Sequence, residues 1–257
     1  VLGDDMRIFS WNINGIRAVI KKGFFQWMDS ENPDIVCLQE TKIQANQLTS
    51  EIQNKQGYHF YFFSAQRKGY SGVAVYSKVL PQEVHYGFGV PAFDEEGRVL
   101  HLQYPDFHLV NVYFPNGKRD NTRLQYKYDF YKTLLDYLRP FLQKNEKMIV
   151  CGDYNTAHKE VDLARPKENK NISGFLPEER KWLDRYLSEG FIDTFRSLHP
   201  TKTQYSWWSH FARARERNIG WRIDYHFASL ALQKKIKKAE IHDTVQGSDH
   251  CPILVEI

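Results

Sequence analysis

Apolar residues in this chain fall mostly in short blocks, set between polar and glycine-containing stretches. Some blocks alternate apolar with polar positions, and others are apolar throughout, as in a sheet covered on both faces. This pattern predicts strands over 7–11, 34–39, 58–64, 72–77, 99–104, 108–114, 147–151, 221–228 and 251–257. Between them the period changes to three and four. Leu124, Tyr128, Tyr131, Leu134, Leu135 and Leu138 predict a helix over 123–143. A second helix is predicted over 23–30, and a third over 177–188, where Pro-Glu-Glu opens it and Gly190 follows its end. Residues 87–97 and 164–174 read as long surface loops. With no Ser/Gly- or Pro-rich linker to divide the chain, residues 1–257 are expected to form a single α/β domain of two β-layers with helices outside.

Composition narrows the class. An aromatic content of 15% and the absence of repeats argue against disorder, collagen and coiled coil. The apolar runs fall well short of the roughly 18 residues of a membrane span, so no membrane partner is expected. Lys and Arg number 35 against 31 Asp and Glu, an excess that permits an anionic partner without requiring one. Cys37, Cys151 and Cys251 each sit inside an apolar run, where a buried reduced thiol is expected. Gly3-Asp4-Asp5 interrupts any apolar start, so no signal peptide is expected. A cytoplasmic chain is therefore expected, nucleoid-associated if the source is prokaryotic.

The candidate chemistry lies at the strand ends. Four apolar blocks run into a polar cluster: one into Asn12, one into Glu40, one into Asn116 with Tyr113 beside it, and one into Asp153 and Asn155. A single Asn or Glu after a strand is ordinarily a turn residue. Four such ends point instead to strands of common direction whose termini line one cleft. Carboxylates and amides together suit a hard divalent cation such as Mg²⁺. Zinc is not suited, since no Cys/His spacing of the finger or protease kind occurs. The last such cluster is Gly247-Ser248-Asp249-His250, directly before an apolar strand. His250 is the expected acid, base or charge stabiliser, with Asp224 orienting its ring. His59, His85, His101 and His199 read as surface or strand residues, and His158 as structural.

Residues 205–217 and 221–222 interleave aromatic side chains with arginine, the pairing expected of a nucleic-acid face. Lys118, Arg119 and Arg123 form one further basic loop, and Arg165, Lys167 and Lys170 another. The bland alternative makes these tryptophans core and these arginines a solvated rim.

The motifs SWNINGIR (10–17), CLQETK (37–42), GYSGVAVYSK (69–78), GRV (97–99), VYFPNG (112–117), CGDYNTAH (151–158), NISGF (171–175), YSWWS (205–209), GWRIDY (220–225) and GSDHCPI (247–253) together resemble one family. It is the exonuclease III family of apurinic/apyrimidinic endonucleases, within the endonuclease/exonuclease/phosphatase superfamily. The resemblance implies a four-layered α/β sandwich, two mixed β-sheets packed face to face with helices outside. It implies Mg²⁺-dependent hydrolysis of the phosphodiester 5′ to an abasic site in duplex DNA, leaving a 3′-hydroxyl and a 5′-deoxyribose phosphate. Mn²⁺ is an expected substitute, and 3′–5′ exonuclease and 3′-phosphodiesterase activities are allowed besides. By the same resemblance Glu40 is the main metal ligand, with Asn12 beside it, Asp249 a second ligand and Asp153 close by. Asp153 activates or positions the attacking water. Asn155 binds the scissile phosphate, and His250 paired with Asp224 stabilises its developing charge. Tyr113 and Asn116 complete the phosphate shell. Trp207, Trp221 and Ile223 wall the pocket for the extruded sugar, and Arg119 and Phe211 enter the DNA grooves. The implied partner is abasic duplex DNA, bound by a monomer.

This sequence departs from the family in places. Asn14 stands where some members have Asp, the paired tryptophans of YSWWS replace a Phe-Trp, and no long basic N-terminal tail is expected. The competing readings are a superfamily phosphatase or phosphodiesterase acting on a non-nucleic-acid ester, and a silent nucleic-acid-binding module.

Overall fold

The computed structural model describes residues 5–118 and 120–257. Arg119, expected in a DNA groove, lies outside the described residues. Among the described residues the strands are β1 (Arg7–Asn12), β2 (Ile35–Gln39), β3 (His59–Phe63), β4 (Val73–Ser77), β5 (Glu83–Tyr86), β6 (Val99–Gln103), β7 (His108–Tyr113), β8 (Met148–Asp153), β9 (Phe191–Asp193), β10 (Trp207–Trp208), β11 (Gly220–Trp221), β12 (Asp224–Ser229), β13 (Lys238–Ile241) and β14 (Ile253–Glu256). They form two six-stranded sheets, ordered β13-β14-β1-β2-β4-β3 and β5-β6-β7-β8-β12-β9, and a two-stranded ribbon, β10-β11.

Each large sheet carries one parallel pair at its centre, β1 with β2 and β7 with β8, flanked by antiparallel neighbours. A parallel pair needs a crossover, and here both crossovers are helical. Helices Ile16–Lys21 and Phe24–Glu31 link β1 to β2, and helix Asn121–Gln143 links β7 to β8. Strand periodicity then sorts side chains into layers. Along β1, Ile8 joins the core between the sheets, whereas Phe9 and Trp11 pack with Val19, Phe24 and Met28 of the helices. Along β7, Leu109 and Tyr113 face the central core, whereas Val110 and Val112 pack against Phe130, Tyr131 and Leu134. The result is the four-layered α/β sandwich, two mixed sheets with helices outside.

The two sheets are also tied by polar atoms. Asn111 on β7 donates to the carbonyls of Leu38 (3.0 Å) and Ala74 (2.9 Å) in the opposite sheet. Its oxygen accepts from Gln39 Nε2 at 2.8 Å, and Gln39 also donates to Ser10 Oγ. These buried hydrogen bonds fix the relative placement of the layers, although the Gln39 Oε1 atom among them is left without a partner. A close approach lies nearby: a Cβ on Gly152 would stand 1.8 Å from the Val112 carbonyl oxygen, and its φ is +144°. Only glycine fits there, which brings the ends of β7 and β8 together.

Several expectations are corrected. Residues 221–228 are not one strand: Trp221 ends β11 and pairs with Trp207, and β12 begins at Asp224 and pairs with β8. Between them Arg222 turns inward to Asp162 and Asp193. The stretches 87–97 and 164–174 each contain a one-turn helix, Pro91–Asp94 and Pro166–Asn169. Strands β5, β9 and β13 were not legible in the sequence, being short and at sheet edges with one weakly apolar face. No helix among the described residues is long and apolar enough to cross a membrane.

Candidate active site

The parallel strands decide where the chemistry sits. Strands β1, β2, β7 and β8 all run toward the same end of the sandwich, so Asn12, Glu40, Tyr113 and Asp153 arrive there together. Antiparallel neighbours begin at that end. Asp224, first residue of β12, is in register with Asp153, and His250 lies just before β14. Glu40, Asp153 and His250 present ligand atoms within 4.8 Å of one another.

Hydrogen bonds define each position. Asn12, fully buried, donates its amide to Glu40 Oε1 (2.9 Å) and to Asp153 Oδ2 (2.8 Å). Its own oxygen accepts the backbone N–H of Asn14. Asn12 therefore holds two carboxylates side by side. Asp249, the other expected ligand, is likewise engaged: Asn14 Nδ2 and Trp207 Nε1 donate to its two oxygens at 2.9 and 3.0 Å. His250 Nδ1 meets Asp224 Oδ2 at 2.9 Å, Ser206 Oγ donates to the same oxygen at 2.6 Å, and His250 Nε2 stands 3.8 Å from Asp153 Oδ2. Asn155 receives support from both sides, its N–H donating to Asp153 Oδ1 (2.8 Å) and its amide to the Phe114 carbonyl (2.9 Å). Asn116 donates to Asn155 Oδ1 at 3.2 Å.

Asn14, Glu40, Lys42 and Asn155 all have φ between +47° and +54°. Left-handed backbone at non-glycine residues costs roughly 1–2 kcal/mol each. Here it clusters where side chains must leave a strand end and turn back over it.

Charge is arranged to match. Burial drives the Asp153 carboxyl up to about 7, with Asp224 and Glu40 adding to the rise and His250 opposing it. Burial would lower His250, but Asp224 and Asp153 outweigh it and hold the imidazole up at about 10. At neutral pH the ring is therefore held as an imidazolium. Glu40, Asp153 and Asp249 all bring carboxylates to this rim, each with its oxygens held by neighbouring donors, and such oxygens suit a hard divalent cation. Burial also pushes the Tyr113 phenol well up, so it stays a donor.

Beside these groups lies a hollow of about 170 Å³ lined by Glu40, Asn155, Trp207, Trp221, Ile223 and Asp249 among others. Trp207 and Trp221 meet edge to face at 6.3 Å, and the Lys118 ammonium lies 5.1 and 5.8 Å from their ring centres. Phe211, outside the lining of the hollow, is 83% exposed.

The expected basic face is partly corrected. Arg222 is only 1% exposed and neutralised by Asp162 and Asp193. Trp208 is core, and Arg215 stacks over it while donating to the carbonyls of Asp243, Val245 and Ser248. Arg123 is paired with Glu96 and Tyr70. Arg222 is thereby withdrawn into the interior, whereas Arg215 and Arg123, though hydrogen-bonded, line open surface grooves. His158, as expected, is structural and pairs with Asp184.

Four contributors escaped the strand-end argument. Lys42 pairs with Glu40 at 2.8 Å, and Ser206 fixes Asp224. Arg98 donates to the Tyr113 carbonyl and lies over its ring, and the Trp11 indole donates to the His250 carbonyl. Three of them fall inside the quoted motifs SWNINGIR, CLQETK and GRV, and Ser206 in YSWWS, so the motif pattern carried a signal that charge reasoning did not.

The endonuclease/exonuclease/phosphatase family matches residues 9–250. This chain belongs to that family. Within it, the chain falls among the exonuclease III-type apurinic/apyrimidinic endonucleases. An exodeoxyribonuclease of Bacillus subtilis is 46% identical over 250 residues, covering 96% of this chain and 98% of that protein. The DNA repair nuclease APEX1 of Danio rerio is 42% identical, covering 97% of this chain and 81% of its own length. Among solved structures, an AP endonuclease from Archaeoglobus fulgidus superposes with a TM-score of 0.89 at 29% identity, over 97% of this chain and 98% of that one.

Proposed function

We propose that this chain is a DNA-repair endonuclease that hydrolyses the phosphodiester 5′ to an abasic site in duplex DNA, leaving a 3′-hydroxyl and a 5′-deoxyribose phosphate. The observation that carries this reading is the conjunction of the Glu40–Asp153–His250 cluster with the small aromatic hollow beside it. At about 170 Å³ the hollow is well below the roughly 300–1,000 Å³ of drug-sized sites. It suits a sugar without its base, which is also the nucleotide cheapest to extrude from a duplex.

The reaction needs a water deprotonated in line and negative charge relieved on the phosphate. Asp153, whose carboxyl burial raises while no ion is bound, stands where it can position that water and take its proton. The His250 imidazolium, kept charged by Asp224, faces the phosphate as a fixed positive group. Tyr113, Asn116 and Asn155 supply neutral donors. Glu40 and Asp153 would hold Mg²⁺, or Mn²⁺ in its place. When bound, the ion supplies Lewis-acid polarisation of the phosphate oxygen. Lys118, above the tryptophans, lies beside the hollow, and the exposed Phe211 side chain is free to meet a duplex. Action as a monomer is part of this reading. A 3′ terminus presents the same ester chemistry, so 3′–5′ exonuclease and 3′-phosphodiesterase activities are expected alongside.

The test is a duplex oligonucleotide with a single abasic analogue, incubated with Mg²⁺ or with EDTA. One incision on the 5′ side, with a 3′-hydroxyl and only when metal is present, is expected. Incision in EDTA, or equal cutting of undamaged duplex, overturns the reading.

A further inference from the structure

Lys127 and Glu179 form an ion pair with both side chains 0% exposed, Nζ to Oε1 at 2.7 Å. Neither residue lines the hollow, and no step of the chemistry above uses them. An isolated buried pair of this kind commonly contributes little net stability, because desolvation offsets attraction. What the pair holds is therefore the informative point. Lys127 Nζ also donates to the backbone carbonyl of Asn155 at 2.7 Å. The Glu179 carboxylate accepts from Ser173 Oγ (2.9 Å), from the Leu176 N–H (3.0 Å) and from the Gly174 N–H.

Both sets of contacts end in the candidate site. Asn155 has φ +50°, a conformation its own chain does not favour. Its N–H is fixed by Asp153 Oδ1 and its carbonyl by the Lys127 ammonium, so both flanking peptide groups are held by charges. Gly174 and Ser173 line the hollow, and a Cβ on Gly174 would stand 3.1 Å from the Trp221 ring. The Gly174 carbonyl in turn accepts from Ala157, two residues past Asn155. One buried pair thus anchors the phosphate-side amide and the back wall of the hollow to the helices Asn121–Gln143 and Pro177–Ser188.

We propose that Lys127 and Glu179 are a positioning pair for the reaction: they hold Asn155 in its left-handed conformation and seat residues 173–176 against Trp221. The inference rests on the reading of the site given above, and acts through Asn155 and Gly174 rather than by touching substrate. Displacing a substrate-contacting group by about 1 Å can cost about 100-fold in rate.

The test compares wild type, Glu179→Gln and the double variant Lys127→Met/Glu179→Gln in single-turnover incision of the abasic duplex. Thermal unfolding and amide exchange are measured on the same preparations. The double variant leaves no buried charge unpaired and should unfold near the wild-type temperature. Its incision rate should nonetheless fall by about 10–100-fold, with Asn155 and Gly174 exchanging faster. Recovery of the rate together with the unfolding temperature would mean that the pair serves the fold alone, and overturns the proposal. So would wild-type Gly174 and Leu176 amides that exchange as fast as open loop. Failure of wild type itself to incise would instead overturn the reading of the site, so the two failures are distinguishable.

Discussion

Replacing Asp224 by Asn tests the electrostatics of the site with little change of shape. Asp224 Oδ2 accepts from His250 Nδ1 at 2.9 Å and from Ser206 at 2.6 Å, and the amide oxygen of Asn can take the same place. What disappears is the charge. His250 is lifted from 6.5 to about 10, against a burial that would lower it, with Asp224 the largest of the opposing influences. At about 1.4 kcal/mol per pH unit that lift represents about 5 kcal/mol of preference for the imidazolium. Without Asp224, burial gains and the ring loses its proton within the neutral range. The folded-state value lies above the unfolded one, so the contribution to stability is complete below about pH 6.5 and fades as the pH climbs through about 10. Incision by wild type should accordingly hold up through pH 8, whereas D224N should decline on the alkaline side from about pH 6–7. At pH 8 its single-turnover rate should be lower by about 10²–10³-fold, the usual cost of one lost charge-stabilising donor. At pH 5.5 the deficit should be smaller. A D224N profile parallel to that of wild type at every pH would refute the argument.

Three other perturbations probe separate parts of the molecule. Trp221→Ala opens the hollow where Trp221 meets Trp207 and Gly174, so preference for abasic over intact duplex should drop about tenfold, a loss of the order expected for one pocket contact; unchanged preference would remove Trp221 from the pocket. Arg222→Met leaves Asp193 without its buried partner and Asp162 with Arg196 alone, and should cost about 3–5 kcal/mol in urea unfolding at pH 7. Arg222 holds the Asp162 carboxyl below its usual value despite burial, so this deficit should shrink as the pH falls through that range, and a constant deficit would point elsewhere. Phe211→Ala, at a side chain 83% exposed, should move stability by less than about 0.5 kcal/mol. It should weaken binding to abasic duplex by about 1–3 kcal/mol, and an unaltered Kd would show that the ring makes no contact with DNA.

Much of the architecture could be read from periodicity, because strands buried on both faces repeat apolar residues over a length no helix needs. The helices at 121–143 and 177–188 announced themselves through spacing and, in the second, through Pro177 and Gly190. The edge strands β5, β9 and β13 did not, since a strand exposed on one side and only three or four residues long has no period to show. Among the site residues, Asn12, Glu40, Asp153 and Asn155 were legible because each stands where an apolar strand stops. Arg222 and Lys127 were not. A charge in a sequence looks solvated, and only the arrival of Asp193 and Glu179 from distant segments makes its burial tolerable.

The order of apolar and polar residues therefore determined which segments become strands and helices, and which side chains wait at their ends. Those are properties of a few consecutive residues and of local backbone sterics. Tertiary structure alone decided how those ends are joined: that Asn12 bridges the Glu40 and Asp153 carboxylates, and that, against the burial that would lower it, Asp224 and Asp153 hold the His250 ring up at about 10. Each of these depends on distances between groups up to 141 residues apart, as for Asn12 and Asp153, and on the water excluded when the sheets close over them.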